Sequence, residues 1–125
     1  MGSNIEISIG DMTIQGTLND TATASALEKI LPVTVHMARW GDEYYGEIPT
    51  EVPLAENARE IMKIGEMAFW PPGRALCFFF GRTPASSDHR PRAAGKVNPV
   101  GMITRTPELL ASFGSSITAQ IKKVK

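Results

Sequence analysis

The chain is poor in cysteine and histidine and has no excess of either charge, and each shortage excludes a class of protein. Cys77 is the only cysteine, so no intramolecular disulfide can form, and a fold stabilised by burial in a reducing, cytoplasmic setting is expected. Thirteen basic residues balance thirteen acidic ones, which argues against a broad basic face for nucleic acid. With only two histidines we predict no metal, no cofactor and no catalytic residue.

Long apolar runs are also missing. No stretch approaches the roughly twenty apolar residues that span a bilayer. Residues 1–4 lack the positive flank and apolar segment of a signal peptide, so neither a membrane partner nor secretion is expected. A chain of 125 residues can build one core but not two, which predicts a single domain over residues 1–125.

Alternating apolar residues predict several strands. Ile5, Ile7 and Ile9 alternate with polar residues before a Gly10-Asp11 turn, and the pattern continues to Leu18, as in a hairpin with one wet face. The same period of two recurs over residues 33–40 and 44–48, and near the end at 117–121.

Capping signals predict two short helices. Asp20 can cap a helix at about residues 21–31, which Pro32 would end. Thr106 can cap a second helix that has Pro107 at its first position. Residues 55–62 are interpreted as irregular or as a single turn.

The segment from Gly65 to Gly81 contains two strand-like apolar runs separated by Pro71-Pro72-Gly73. Proline has no backbone donor, so the corner is a loop, and Gly73 is expected to supply a positive φ. The following run, residues 75–80, is apolar on both pleat faces, which predicts a strand buried on both sides.

Residues 82–99 contain three prolines and few apolar side chains, so we predict the longest loop here, with little part in the core. The loop is locally positive, and arginine suits carboxylate and phosphate groups, so a small anion or acidic peptide is one candidate ligand. The alternative is a solvated loop. Its charged residues are Arg82, Arg90, Arg92 and Lys96 against Asp88.

Aromatic residues near strand ends give a second candidate site, because amphipathic rings can line a groove for a peptide or a small planar molecule. Tyr45 is the best candidate, since it should lie on the face opposite Tyr44, and Trp70 is another. Arg39 either joins this site or stacks on Trp40 for structural reasons. The aromatic set is Trp40, Tyr44, Tyr45, Phe69 and Trp70.

Four strings carry a family resemblance. They are WGDEYYG at residues 40–46, GEMAFWPPG at 65–73, ALCFFFG at 75–81 and Thr83-Pro84. The chain resembles a family of small, largely uncharacterised prokaryotic proteins with a cyclophilin-like fold. The resemblance implies a mainly β structure: a closed antiparallel β-barrel of about eight strands with helices at its ends.

The same resemblance raises prolyl isomerisation as an activity. Active cyclophilins place an arginine a few positions ahead of a Phe-x-x-Gln-Gly stretch. Here the only similar string is residues 12–16, MTIQG, and the first arginine in the chain is Arg39. The sequence therefore does not favour an isomerase.

The sequence also gives little support for hydrolytic catalysis or for metal binding. His36 is interpreted as a structural histidine and Cys77 as a buried, unreactive thiol. The adjacent Asp88 and His89 are interpreted as polar loop residues rather than metal ligands.

The sequence thus predicts a binding module for a small anionic or peptide-like ligand. Two alternatives stay open: an atypical peptidyl-prolyl isomerase and a structural or assembly partner. Neither the ligand nor the oligomeric state follows from the sequence. The candidate ligand-binding residues are Arg39, Tyr45, Trp70, Arg82, Arg90 and Arg92.

Overall fold

A computed structural model describes residues 2–124; Met1 and Lys125, which the single-domain prediction includes, lie outside the described residues. The described chain is mainly β, as predicted. It contains one α-helix, α1 (Ala22–Lys29), and short 3-10 helices at Pro71–Gly73 and Pro107–Ser112. The strands are β1 (Asn4–Ile9), β2 (Met12–Leu18), β3 (Val33–Arg39), β4 (Glu43–Glu47), β5 (Arg59–Ile61), β6 (Glu66–Trp70), β7 (Ala75–Phe79), β8 (Arg92–Ile103) and β9 (Ser116–Lys123).

Eight of these strands form a closed ring in the order β2-β1-β9-β3-β4-β7-β6-β8. The ring closes where β2 pairs with β8, with Gly16 opposite Ile103 and Leu18 opposite Gly101. The pairings among residues 2–124 are antiparallel, so ring closure leaves β5 as the strand outside it, paired with β8. Closure removes the unpaired edges that an open sheet would expose.

The main core lies on the inner face of this ring. Every ring strand contributes to it, because one face of each strand is apolar. The predicted β1–β2 hairpin is confirmed, with Ile5, Ile7 and Ile9 each at most 4% exposed. On β7, Leu76 and Phe78 point into this core and Phe80 follows them.

A second, smaller apolar cluster lies on the outer face. The alternate residues of β7, Cys77 and Phe79, pack there against Ala93 and Val97 of β8. The predicted burial of residues 75–80 on both sides is therefore confirmed. One face belongs to the ring interior, and the other is covered by the first half of β8.

The helix predictions are right in place and partly wrong in detail. The N-cap of α1 is Thr21 rather than Asp20: the Thr21 hydroxyl accepts the Ala24 N–H at 3.1 Å. The second helix does begin at Pro107, but it is a 3-10 helix. Thr106 precedes it with φ 50° and makes no side-chain cap.

The double-proline corner also differs from the prediction in one residue. The left-handed conformation falls on Arg74, with φ 47°, and not on Gly73. Glycine is needed at Gly73 for space, because a Cβ there would lie 2.8 Å from the ring of Trp70.

The predicted loop at residues 82–99 is wrong over its second half. Residues 92–99 begin the longest strand, β8, and Ala93 and Val97 are at most 2% exposed. Pro99 lies opposite Ala68 of β6, beside a shift in the β6–β8 register, and such irregularities are where a strand tolerates proline. Residues 59–61, expected to be irregular, pair with β8 as β5.

Buried Asn98 ties this strand to its neighbours. Its amide donates to the Thr23 hydroxyl of α1 and to the Pro53 carbonyl, while its Oδ1 accepts the Ala55 N–H at 2.8 Å. The segment before β5 is thereby held beside β8. Within residues 2–124, no helix is long and apolar enough to cross a bilayer.

Candidate functional site

A cleft lies on the outer face of the ring, where β8 passes over β4 and β7. Its volume is about 270 Å³. We call it the aromatic cleft. It is lined by Trp40, Glu43, Tyr45, Trp70, Cys77, Ala93, Ala94 and Val97.

The alternation of side chains along β4 determines which of its residues form the floor of this cleft. Tyr44 points into the core and is fully buried, so its neighbours Glu43 and Tyr45 point outward. Across the ladder, Tyr45 pairs with Cys77 of β7, which faces the same way. The predicted position of Tyr45, opposite Tyr44, is confirmed: it is 40% exposed.

Glu43 is the unusual residue of the cleft. Its side chain belongs to a residue only 5% exposed, yet its Oε1 atom has no hydrogen-bond partner. Burial raises the pKa of Glu43 from 4.5 to about 7, and the neighbouring Cys77 thiol offsets this only in part. A buried carboxyl with one oxygen left without a donor is unstable as an anion, so near neutral pH Glu43 exchanges a proton readily.

Cys77 is fully buried beside Glu43. Desolvation raises the pKa of its thiol, and the nearby Glu43 carboxylate raises it further. The thiolate is therefore disfavoured. This agrees with the interpretation of Cys77 as a buried thiol of low reactivity.

The walls of the cleft are aromatic. Trp40 follows β3, Tyr45 lies on β4 and Trp70 ends β6, so three separate segments bring rings to one opening. Trp40 and Trp70 are the only tryptophans of the chain. A ligand in the cleft should therefore change the tryptophan fluorescence of the protein.

A wider depression adjoins the cleft on the far side of Trp70. It has a volume of about 760 Å³ and shares Trp70 and Ala94 with the aromatic cleft. Leu54 and Pro72 line it, and Leu54 is 53% exposed. Trp70 thus separates two neighbouring hollows, which together could seat consecutive groups of an extended ligand.

Of the six predicted ligand-binding residues, Tyr45 and Trp70 line the aromatic cleft. Arg39 lies elsewhere and is engaged with its own chain. Its guanidinium donates to the carbonyls of Gly41 and Phe113 at 2.8 Å each and to Asp42 Oδ1 at 2.9 Å. It also lies over the rings of Phe80 and Tyr44, not over Trp40.

The three other candidate arginines do not meet at one place in the cleft either. Arg90 bonds Asp88 at 2.7 Å, and this pairing lowers the pKa of Asp88. Arg92 bonds Glu60 at 2.9 Å. Arg82 is exposed, and its carbonyl accepts the Asp42 N–H. Much of the local positive charge is thus balanced by carboxylates of the same chain.

Sequence reasoning missed Glu43 as a site residue. The available signal was the alternation Glu43-Tyr44-Tyr45, which puts the carboxyl on the same face as the candidate tyrosine. What hides the carboxyl is β8, and the sequence of that segment predicted a loop. Ala93, Ala94 and Val97 were missed for the same reason.

The remaining polar candidates lie outside the cleft. His36 is exposed on β3, with Nδ1 3.2 Å from the Thr118 hydroxyl. His89 is exposed on the loop that precedes β8. Across residues 2–124, no three His, Cys, Asp or Glu side chains come together as a metal site.

Comparisons with known proteins agree with the architecture. A family model described as cyclophilin-like matches residues 3–122. The solution structure of a hypothetical protein from Archaeoglobus fulgidus is similar, with a TM-score of 0.81 and 28% sequence identity over 98% of this chain and 95% of that one. No curated protein sequence matches the chain.

Proposed function

We propose that this chain, which belongs to the cyclophilin-like family, binds a small or peptide-like ligand in the aromatic cleft. We also infer that its eight-stranded ring corresponds to the closed barrel of that family. The single observation that carries the binding proposal is the unpartnered Oε1 of Glu43, a buried residue that lines an opening together with three aromatic residues.

This combination is typical of ligand sites. Such sites are concave, mostly apolar and contain few polar groups that fix orientation. A buried polar atom left without a partner costs stability, which a ligand donor would recover on binding. Tyr45 and Trp70, predicted from the sequence, contribute apolar walls, and Glu43 contributes the acceptor.

The charge of the cleft argues against an anion as its occupant. Its one ionisable acid is Glu43, and the lining residues include no lysine or arginine. An anionic ligand would have to bind the separate loop around Arg90. There the guanidinium is already paired with Asp88.

The two alternative functions have less support. A prolyl isomerase of the cyclophilin type needs an arginine over the substrate, and no arginine lines the aromatic cleft. An assembly surface needs a broad apolar patch, whereas the observation that singles out a site here is one unpartnered carboxyl oxygen of a residue that lines a cleft.

Benzamide is a suitable first probe, because it is planar, uncharged and carries an N–H donor for Glu43. We expect it to change tryptophan emission and to shift the backbone NMR signals of Tyr45, Cys77 and Val97. Ala93→Leu fills the cleft from its buried wall and should abolish these changes.

Two further variants control this test. Ala94→Phe narrows the same cleft from an exposed position, so a folding defect is not expected, and it too should weaken benzamide binding. Ala22→Leu adds the same bulk as Ala93→Leu at an exposed site on α1 and should bind like the natural protein. Equal benzamide binding by all four proteins would contradict the proposal.

A further inference from the structure

We propose that the group held by the aromatic cleft is an alkylated ammonium that keeps one N–H, that is, a tertiary ammonium. This inference rests on the proposed function, because it names the ligand chemistry of the same cleft. Two observations support it: Glu43 has an unpartnered, buried carboxyl oxygen, and three aromatic residues line the same cleft.

The carboxyl of Glu43 lacks a positive partner. The other buried glutamate, Glu66, receives the guanidinium of Arg59. No lysine or arginine lines the aromatic cleft, so a cation for Glu43 has to come from outside the chain. Buried charges in proteins are paired, and a ligand cation would complete that pattern.

The walls suit a cation with alkyl groups. The faces of Trp40, Tyr45 and Trp70 carry negative electrostatic potential that attracts ammonium groups, and aromatic cages of this composition are known to hold methylated nitrogens. The rest of the lining is apolar or small and includes Ala93 and Val97. Such surface favours methyl or methylene groups over a hydrated primary ammonium.

The number of unpartnered acceptors in the cleft sets the number of N–H donors that a ligand can bury there without loss. Among the buried side chains of residues 2–124, Glu43 Oε1 is the single polar atom without a partner. One N–H satisfies it. A primary ammonium would bury further donors without acceptors, whereas a quaternary ammonium would leave Oε1 without a hydrogen bond.

Four compounds of similar size test this choice near pH 8, where Glu43, with a pKa of about 7, is mostly ionised. They are dimethylaminoethanol (tertiary), choline (quaternary), ethanolamine (primary) and the uncharged carbon isostere of choline. Binding is measured by tryptophan emission and by NMR shifts at Tyr45, Cys77 and Val97. We expect dimethylaminoethanol to bind about tenfold more tightly than the isostere, with the other two between them.

Variants assign the preference to named groups. Glu43→Gln keeps the shape and removes the charge, so dimethylaminoethanol should bind about tenfold more weakly while the isostere changes less than about twofold. Trp40→Leu should weaken the ammonium more than the isostere. The matched control is Glu47→Gln, on the same strand and face but outside the cleft, and it should change neither.

The outcomes separate this inference from the proposed function. If benzamide binds but the isostere binds as tightly as dimethylaminoethanol, the ammonium inference is overturned and the binding module stands. If neither benzamide nor any of the four compounds shifts the cleft signals, both are overturned. An equal loss of ammonium binding in Glu47→Gln and Glu43→Gln would also overturn the assignment to the cleft.

Discussion

Glu43 and Glu66 are equally buried, at 5% exposed each, but their surroundings differ. Glu66 accepts from the Arg59 guanidinium through both carboxylate oxygens, at 3.0 Å for Oε1, and from the Lys63 N–H at 3.0 Å. Glu43 lies beside the Cys77 thiol and leaves Oε1 without a donor. One buried acid is fully partnered by its own chain, and the other is not.

The difference indicates two uses of a buried carboxyl. Burying an acid costs free energy that a charged partner recovers. Glu66 recovers it within the fold and ties β6 to β5, so it is structural. Glu43 recovers it only by binding a proton or a ligand, and such a local loss of stability is characteristic of functional sites.

The largest expected effect comes from removing the partner of Glu66. Arg59→Ala should lower the free energy of unfolding by about 3 kcal/mol, because the carboxylate of Glu66, whose side chain is 7% exposed, loses its cation, while the Arg59 side chain, at 40% exposed, is already partly hydrated. Arg74→Ala is the control, since the Arg74–Glu47 pair is exposed, at 51% and 67%, and should cost less than about 1 kcal/mol. Urea denaturation measures both. Equal losses would remove the distinction between the buried pair and a surface pair.

The charge of Glu43 should have the opposite effect to that of Arg59, because it should lower the free energy of unfolding as the carboxyl ionises. Its pKa is raised from 4.5 to about 7, so its contribution to stability is full below pH 4.5 and is lost as the pH rises to about 7. Natural protein should therefore lose roughly 3 kcal/mol against Glu43→Gln over this interval. Denaturation at a series of pH values measures the difference, and the other titrating groups cancel because both proteins contain them. A constant difference would show that Glu43 is not strained by burial.

Arg39 extends the comparison to a cation. The sequence predicted it to be a ligand-binding residue, but its guanidinium is hydrogen-bonded within its own chain. Arg39→Lys loses the planar fork that reaches Gly41, Phe113 and Asp42, and should cost about 2 kcal/mol. Dimethylaminoethanol binding in the aromatic cleft should not change. Weaker dimethylaminoethanol binding by Arg39→Lys, with an unchanged free energy of unfolding, would assign Arg39 to the site.

The smallest effect is expected where the loop before β8 leads into that strand. Arg90 on the loop pairs with Asp88, and Arg92 at the start of β8 pairs with Glu60, both near the surface, so replacing both arginines with alanine should leave the free energy of unfolding nearly unchanged. The binding of inorganic phosphate, measured by calorimetry, tests the predicted anion site directly. Weaker phosphate binding by the double variant would establish a second site, distinct from the aromatic cleft.

The ring strands were largely predictable from the sequence, because β1, β2, β3, β4 and β9 each have one apolar and one more polar face and β7 is apolar on both faces. The failure at β8 has a physical cause. Its first half is made of small and polar residues with a proline at each end, Pro91 and Pro99, which is the pattern of a loop. In the structure Ala93 and Val97 pack closely on Cys77 and Phe79, and the register shift admits Pro99.

The site residues also divide into those that the local sequence predicts and one that depends on a distant strand. Tyr45 and Trp70 were predicted from their positions near turns, which local sequence determines. The importance of Glu43 depends on β8, which begins 49 residues further along the chain and covers its carboxyl. No local pattern near Glu43 contains that information.

The central claim is that the chain leaves Oε1 of the buried Glu43 carboxyl unpartnered in a residue that lines the aromatic cleft. The most direct measurement is an NMR titration of the glutamate side-chain carboxyl carbons, with the Glu43 signal assigned from its loss in Glu43→Gln. Our account predicts a midpoint at a pH of about 7 for that signal. A midpoint near 4.5, the ordinary value for glutamate, would contradict it.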